Sequence, residues 1–188
     1  MKRRFLRSPY LWLVFGVVAV VTYAYTARDR YRQAAILAGS RAPDFSFPSI
    51  TGGEMRLSDF DDKVVLVNIW ATWCLPCREE MPSMQRLYEA FEGKDFEILA
   101  VSVDASLGQK NESSSYEGGD LAAFANEYGL SFPILHNASG SMLQLYQATA
   151  VPESFVIAKG GLIYKKVAGP TEWDLPVNQE LIRRLLDG

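Results

Sequence analysis

Cys74 and Cys77 are the only two cysteines in the chain, and they stand three residues apart in Trp73-Cys74-Leu75-Pro76-Cys77. Two thiols at this spacing can close a small disulfide ring or open it again. The spacing therefore points to electron exchange through sulfur. A helix that begins at this motif would aim unpaired N–H groups and a partial positive charge at the first sulfur, which favours a thiolate there. Cys74 is then the nucleophile. Cys77, one turn inside the helix and better shielded, is the resolving thiol.

Other uses of two cysteines are weaker. A structural zinc site needs about four ligands, and two cysteines with a single histidine, His136, would have to borrow carboxylates. Covalent haem attachment requires histidine directly after the second cysteine, where this chain has Arg78. A static disulfide spanning three residues would close too little chain to stabilise much. No phosphate-cradling glycine loop or metal cluster is visible, so neither a metal nor an organic cofactor is expected.

The elements around the motif are legible from periodicity. Val64 to Trp70 is a continuous apolar, β-branched run, which predicts a central strand covered on both faces. Met81, Met84, Leu87, Tyr88 and Phe91 recur at helical spacing, predicting a helix over 76–91 that ends at Gly93. Residues 97–103 form the next strand, and 120–128 a helix with Asp120 as N-cap and Gly129 as terminator. Residues 155–157 and 162–167 flank Lys159-Gly160-Gly161 as a hairpin. Leu181, Ile182, Leu185 and Leu186 give one apolar face to a final helix. Residues 45–47 and 55–57 around Thr51-Gly52-Gly53 predict a small extra hairpin at the start. The expected class is α/β, in the order β-α-β-α-β-β-α.

Charge divides the 188 residues unevenly. Lys2, Arg3, Arg4, Arg7, Arg28, Arg30 and Arg32 face only Asp29 in the first 32 residues, whereas the whole chain has a net charge of −3. The body is therefore acidic and carries no footprint for nucleic acid. At 48% apolar and 22% charged residues, disorder is excluded.

Residues 9–27, PYLWLVFGVVAVVTYAYTA, hold no charge and approach the roughly 20 apolar residues that span a bilayer. The basic excess before them places the N-terminus in the cytoplasm and the body outside. A cleaved signal peptide is the alternative, but its apolar core would be about 7–15 residues. The expected organisation is a basic leader over 1–8, a transmembrane anchor over 9–27, a tether over 28–41 and one globular domain over 42–188.

The stretch VVLVNIWATWCLPCREEMP resembles the active-site segment of thioredoxin-like proteins. Its WATWC form is similar to the membrane-anchored TlpA, ResA and CcmG (DsbE) thiol-disulfide oxidoreductases. APDFSF, ITGGEMRLSDF and TAVPESFVI match the same group, so the resemblance covers nearly all of 42–188. It implies a thioredoxin-like fold, a central mixed sheet flanked by helices, with the N-terminal hairpin as an extension.

It further implies a protein-disulfide reductase on the periplasmic or extracytoplasmic side of a bacterial cytoplasmic membrane. The substrates would be exported proteins, among them apocytochrome c during cytochrome c maturation, and a CcdA- or DsbD-type membrane protein would restore the dithiol. The alternatives are a non-catalytic apocytochrome-binding module and a peroxiredoxin-like peroxidase. The latter shares APDF but wants threonine and proline before its cysteine, where this chain has Trp73.

Residue roles follow from the same resemblance. Pro152 matches the cis-proline that faces the disulfide, with Val151 offering a backbone edge for an extended substrate. Trp73, Leu75 and Pro76 border the sulfurs, and Trp70 is core or a shield. Pro82 matches a proline that kinks the active-site helix. Asn68 stands where thioredoxins carry a buried aspartate that moves the resolving thiol's proton, and Glu153 is expected to supply that proton route instead. Residues 104–119 read as a solvated loop, with partner recognition as the alternative, Lys165-Lys166 as a solvated strand end, and His136 as a surface or packing residue.

Leu75 and Pro76 bring no donor or charge to stabilise the Cys74 thiolate beyond the helix end, so the couple should be reducing. Its potential is expected nearer the thioredoxin value of about −270 mV than the strong oxidant near −120 mV. Equilibration with glutathione buffers, read by tryptophan fluorescence, measures it. A value above about −180 mV would mark an oxidase or isomerase.

Overall fold

The structure is a computed structural model that describes residues 9–32, 38–110 and 115–188; within the first segment, side chains are described for 12–24. The chain divides into two compact units, 1–35 and 36–188. The expected leader, 1–8, lies outside the described residues.

In the first unit Pro9–Arg32 forms one helix, α1, which runs past the expected end at Ala27 and takes in Arg28 and Arg30. Thr22 turns its hydroxyl back to the carbonyls of Val18 at 2.8 Å and Ala19 at 3.0 Å. Its polar group is thus satisfied within the helix. Among the described residues no helix is long and apolar enough to cross a membrane, and the expected span extends past 12–24 at both ends.

The second unit opens with the expected hairpin. Strands β1 (Ser46–Pro48) and β2 (Glu54–Arg56) pair antiparallel with Phe47 opposite Met55, and a 3-10 turn follows at Leu57–Phe60. Then come β3 (Val64–Trp70), α2 (Leu75–Ala90), β4 (Phe96–Ser102) and α3 (Leu121–Tyr128). The chain continues through β5 (Ile134–His136), α4 (Ser141–Leu145), β6 (Glu153–Ala158), β7 (Leu162–Ala168) and α5 (Pro176–Asp187). The second sheet has the order β5-β4-β3-β6-β7.

β3, β4 and β5 run parallel, while β6 and β7 are antiparallel to their neighbours, so the sheet is mixed as expected. Parallel neighbours require long crossovers, and α2 supplies the one between β3 and β4. Every residue of β3 and β4 is buried, which accounts for their mostly apolar sequence, broken only by Asn68 in β3 and by Glu97 and Ser102 in β4. β7 lies at an edge with most side chains exposed or half-exposed. The turn from β6 to β7 passes through Gly160 and Gly161, both at φ +81°, where a Cβ would strain the backbone.

Two elements were absent from the expected order. β5 is short and follows Pro133, which weakens any strand signal. It exists because β4 pairs with it on one side and the Ser49–Ile50 backbone on the other, with Ile50 N–H donating to the Ile134 carbonyl. α4 is a single turn whose Met142 is buried and whose N–H is held by Asn137 Oδ1 at 2.8 Å. Neither is long enough to show a period.

The tether of the expected organisation is also not free at its end. Gly39 N–H donates to Ile163 O, and Ile163 N–H to Ser40 O, so residues 39–42 run along β7. The Tyr146 hydroxyl donates to Pro43 O at 2.7 Å, and its ring meets Phe45 and Phe155 edge-on. Trp70, fully buried against Phe124, is core.

Ile98, at the centre of β4, has no exposed surface. Ile98→Ala should cost about 2–5 kcal/mol by urea denaturation, because a cavity adds to the lost transfer energy. Val177→Ala, at an exposed position, should stay within about 0.5 kcal/mol. Equal effects at the two positions would contradict the assigned core.

Candidate redox site

β3 delivers the chain to the site and α2 begins there. Cys74 is the N-cap of α2, with extended φ −86° and ψ 104°, and Pro76 occupies the first turn, where its missing N–H is no loss. Cys77 N–H points at Cys74 Sγ across 3.2 Å. Cys74 and Cys77 are joined as a disulfide. Cys77 is fully buried and Cys74 is 5% exposed, while Leu75 between them is 64% exposed. Approach from solvent is therefore to the Cys74 side.

Opposite lies the loop before β6. The Val151–Pro152 peptide bond is cis, as the resemblance implied. The Val151 carbonyl oxygen lies 3.5 Å from Cys74 Sγ. A disulfide sulfur has no proton to give, so this contact becomes a hydrogen bond only when Cys74 is a thiol.

A polar cluster lies within the core around Glu80. Asn68 Nδ2 donates to Glu80 Oε1 at 2.7 Å and to Ser154 Oγ at 2.9 Å. Glu80 Oε2 accepts from Thr171 N–H at 3.1 Å. Glu80 is 2% exposed. Burial pushes its carboxyl up to about 7, against the opposing pull of Asn68, Thr171 and Trp173. The indole N–H of Trp173 meets no acceptor at hydrogen-bond geometry. Glu79, Glu80, Pro170, Thr171 and Glu172 line a cavity of about 210 Å³. Glu80 sits one helical turn after Cys77, on the same face of α2.

Glu80 was not among the expected site residues. Its signal was present, because it lies three residues after Cys77 and four before Met84 and so falls on the buried stripe of α2. Acid on an apolar stripe wants an explanation.

Glu153 is buried in β6 between β3 and β7, with Ile69 and Ala168 as register partners. Its carboxylate forms an ion pair with Lys166 Nζ at 2.5 Å and accepts from Thr149 N–H at 3.2 Å. Lys166 is thereby corrected from a solvated strand end to the counter-ion of a buried acid. Pro82 lies inside α2, where its ring removes one helix hydrogen bond.

The 104–119 loop is exposed as expected over residues 106–110 and 115–117, but its base is buried. Asp104 is fully buried and accepts from Thr72 N–H at 2.8 Å, the Thr72 hydroxyl, Ser102 Oγ at 2.7 Å and Gly119 N–H at 3.2 Å. This carboxylate binds the base of the loop to the residue two before Cys74. Tyr116 stacks on Trp73, with centroids 4.8 Å apart. His136 packs with Nε2 3.0 Å from Asp104 O. Among the described residues no group of His, Cys, Asp and Glu is arranged to hold a metal ion.

The AhpC/TSA family profile matches residues 38–166. The chain belongs to the AhpC/TSA family. Its full length is similar to thiol-disulfide oxidoreductase ResA of Geobacillus thermodenitrificans, 33% identical over 183 residues that cover 97% of both chains. The thioredoxin-like protein YneN of Bacillus subtilis is 33% identical over 81% of this chain and 86% of its own. Among solved structures, a thiol:disulfide interchange protein DsbE from Chlorobium tepidum is 28% identical, with a TM-score of 0.62 over 79% of this chain and 94% of that one. Within its family the chain is a thioredoxin-like thiol-disulfide oxidoreductase, and the Cys74–Cys77 disulfide fits a redox-active site.

Glu80 binds its proton more tightly in the fold than in the unfolded chain. Its contribution to stability is therefore fully present below about pH 4.5 and is lost as pH rises through about 7. The total is up to ~3 kcal/mol. Urea denaturation of the oxidised protein and of Glu80→Gln across this range should show a stability difference that changes between those limits and levels off above them. Parallel curves would remove Glu80 as a perturbed acid.

Proposed function

We propose that the protein reduces disulfides in exported proteins, with its thioredoxin-like domain outside the cytoplasmic membrane and residues 9–27 as the anchor. The observation that carries the reaction is Cys77 N–H aimed at Cys74 Sγ at the start of α2, with buried Glu80 one turn beyond Cys77. The Cys74 thiolate attacks a substrate disulfide, forming a mixed disulfide and releasing one substrate thiolate. The Cys77 thiol gives its proton to the Glu80 carboxylate and attacks Cys74 Sγ. The second substrate thiolate leaves, and the Cys74–Cys77 disulfide remains. A membrane dithiol donor of the CcdA or DsbD type then passes two electrons to that disulfide and becomes a disulfide itself, its two protons go to the released substrate thiolates, and the Glu80 proton returns to Cys77, which restores the starting state.

Glu80 takes the proton role expected of Glu153, because a carboxyl near 7 exchanges protons at neutral pH, whereas Glu153 is ion-paired with Lys166. Val151 and Pro152 receive an extended substrate segment, and Trp73, Leu75 and Pro76 border it. Apocytochrome c is the proposed substrate, since a disulfide between its haem-binding cysteines must be opened before haem can attach.

Two cysteines three residues apart favour dithiol exchange over peroxidase chemistry, and turnover separates a reductase from a binding module. The protein should accelerate insulin disulfide reduction and open an oxidised apocytochrome c peptide. Cys74→Ser should abolish both activities, and Cys77→Ser should trap the mixed disulfide. Alkylation rates should place the Cys74 thiol between about 3.5 and 7.5 and leave Cys77 at or above the free value near 8.5. The chain should stay with membranes through a carbonate wash. Equal thiol midpoints would end the assignment of roles, and a shortened soluble form would end that of the anchor.

A further inference from the structure

The connection from β4 to α3 is longer than a crossover needs, and its base is built closely onto the redox site. Gly108 N–H donates to Gly118 O, and Gly118 N–H to Gln109 O, closing the loop on itself. A Cβ at Gly118 would lie 1.9 Å from the Ala105 carbonyl oxygen, and one at Gly119 would lie 2.3 Å from Thr72 Oγ1. Neither position admits a side chain without moving the loop. Asp104 holds the same base to Thr72. These constraints set Tyr116 on Trp73 in a stack with an interplanar angle of 17°.

Trp73 is the residue before Cys74, so the stack lies beside the attacking sulfur. Tyr116 is 60% exposed. The one polar atom of the Trp73 ring, Nε1, is buried without an acceptor, so the surface which this indole offers is ring carbon. Leu75, after Cys74, is exposed too. The Val151 carbonyl oxygen also lies against Cys74 Sγ, at 3.5 Å. In a mixed disulfide the substrate half-cystine is bonded to that sulfur, and the neighbouring substrate residue is only about 3.8 Å away along its chain. Its side chain reaches the aromatic stack. An aromatic or large aliphatic side chain gains contact there, whereas a small polar one gains none.

We propose that Tyr116, stacked on Trp73, is a specificity-determining residue that makes this chain prefer disulfides whose half-cystine is flanked by an aromatic or large aliphatic residue in an extended segment. The proposal rests on the exchange reaction above and adds the class of sequence which that reaction selects.

The test uses the full chain in detergent and two disulfide-bonded peptides that differ only in having Phe or Ser before the half-cystine. The wild type should favour the Phe peptide in kcat/KM by about 3- to 10-fold. Tyr116→Ser should bring that ratio towards one, and Tyr116→Phe should keep it. A ratio taken within one preparation is insensitive to partial loss of folded protein. A wild type without preference, or a Tyr116→Ser protein with the wild-type ratio, overturns the proposal. Turnover of neither peptide overturns the exchange reading and this inference with it.

Discussion

The contact on which the site depends is the Cys77 N–H directed at Cys74 Sγ across the first turn of α2. A thiol becomes a useful nucleophile at neutral pH only when its anion is stabilised, and here a backbone donor and a helix end do so without a charged side chain. Holding Cys74 at that spot requires a strand that stops at Trp70 and a turn that cannot drift. β3 is clamped between β4 and β6, and Asp104 grips both the backbone and the hydroxyl of Thr72. The sheet and the buried carboxylate are thus parts of the redox centre although neither touches sulfur.

A second constraint is electrostatic. Burying Asn68, Glu80 and Ser154 in the core is unfavourable unless their polar atoms are paired, and of these Asn68 Oδ1 is left without a partner. Asn68 distributes both amide protons to Glu80 and Ser154, while Thr171 supplies a backbone donor from the segment after β7. Ser83 extends the cluster along α2, donating to Thr171 O and accepting from Trp173 N–H. Burial holds the Glu80 carboxyl up at about 7 while Asn68 and Thr171 pull it down. That state suits proton exchange, and it depends on four separate parts of the chain meeting.

Much of the site was open to inspection in the linear order. The Val64–Trp70 run, the Met81–Met84–Leu87 stripe and the two cysteines between them define strand, helix and thiols by local pattern alone, and all three stand as expected. What local pattern could not supply was pairing across distance. Glu153 reads as an ordinary acid after a proline, and only the β6–β7 register brings Lys166 to it. Tyr116 sits in a polar, glycine-rich stretch where nothing marks it as Trp73's neighbour. β5 carries too few residues for a period and is made a strand by its partners on both sides.

The sequence by itself determined the redox chemistry, because spacing two thiols around Leu-Pro at a helix start is a local arrangement that needs only neighbouring residues. It also determined the alternation of strands and helices, since apolar periodicity is a property of adjacent positions. The tertiary structure alone decided which groups meet Glu80, which lysine neutralises Glu153 and which loop packs on Trp73. Each of those is a contact between residues more than ten positions apart. Their energies arise from burial and pairing that exist only once the sheet has closed around them.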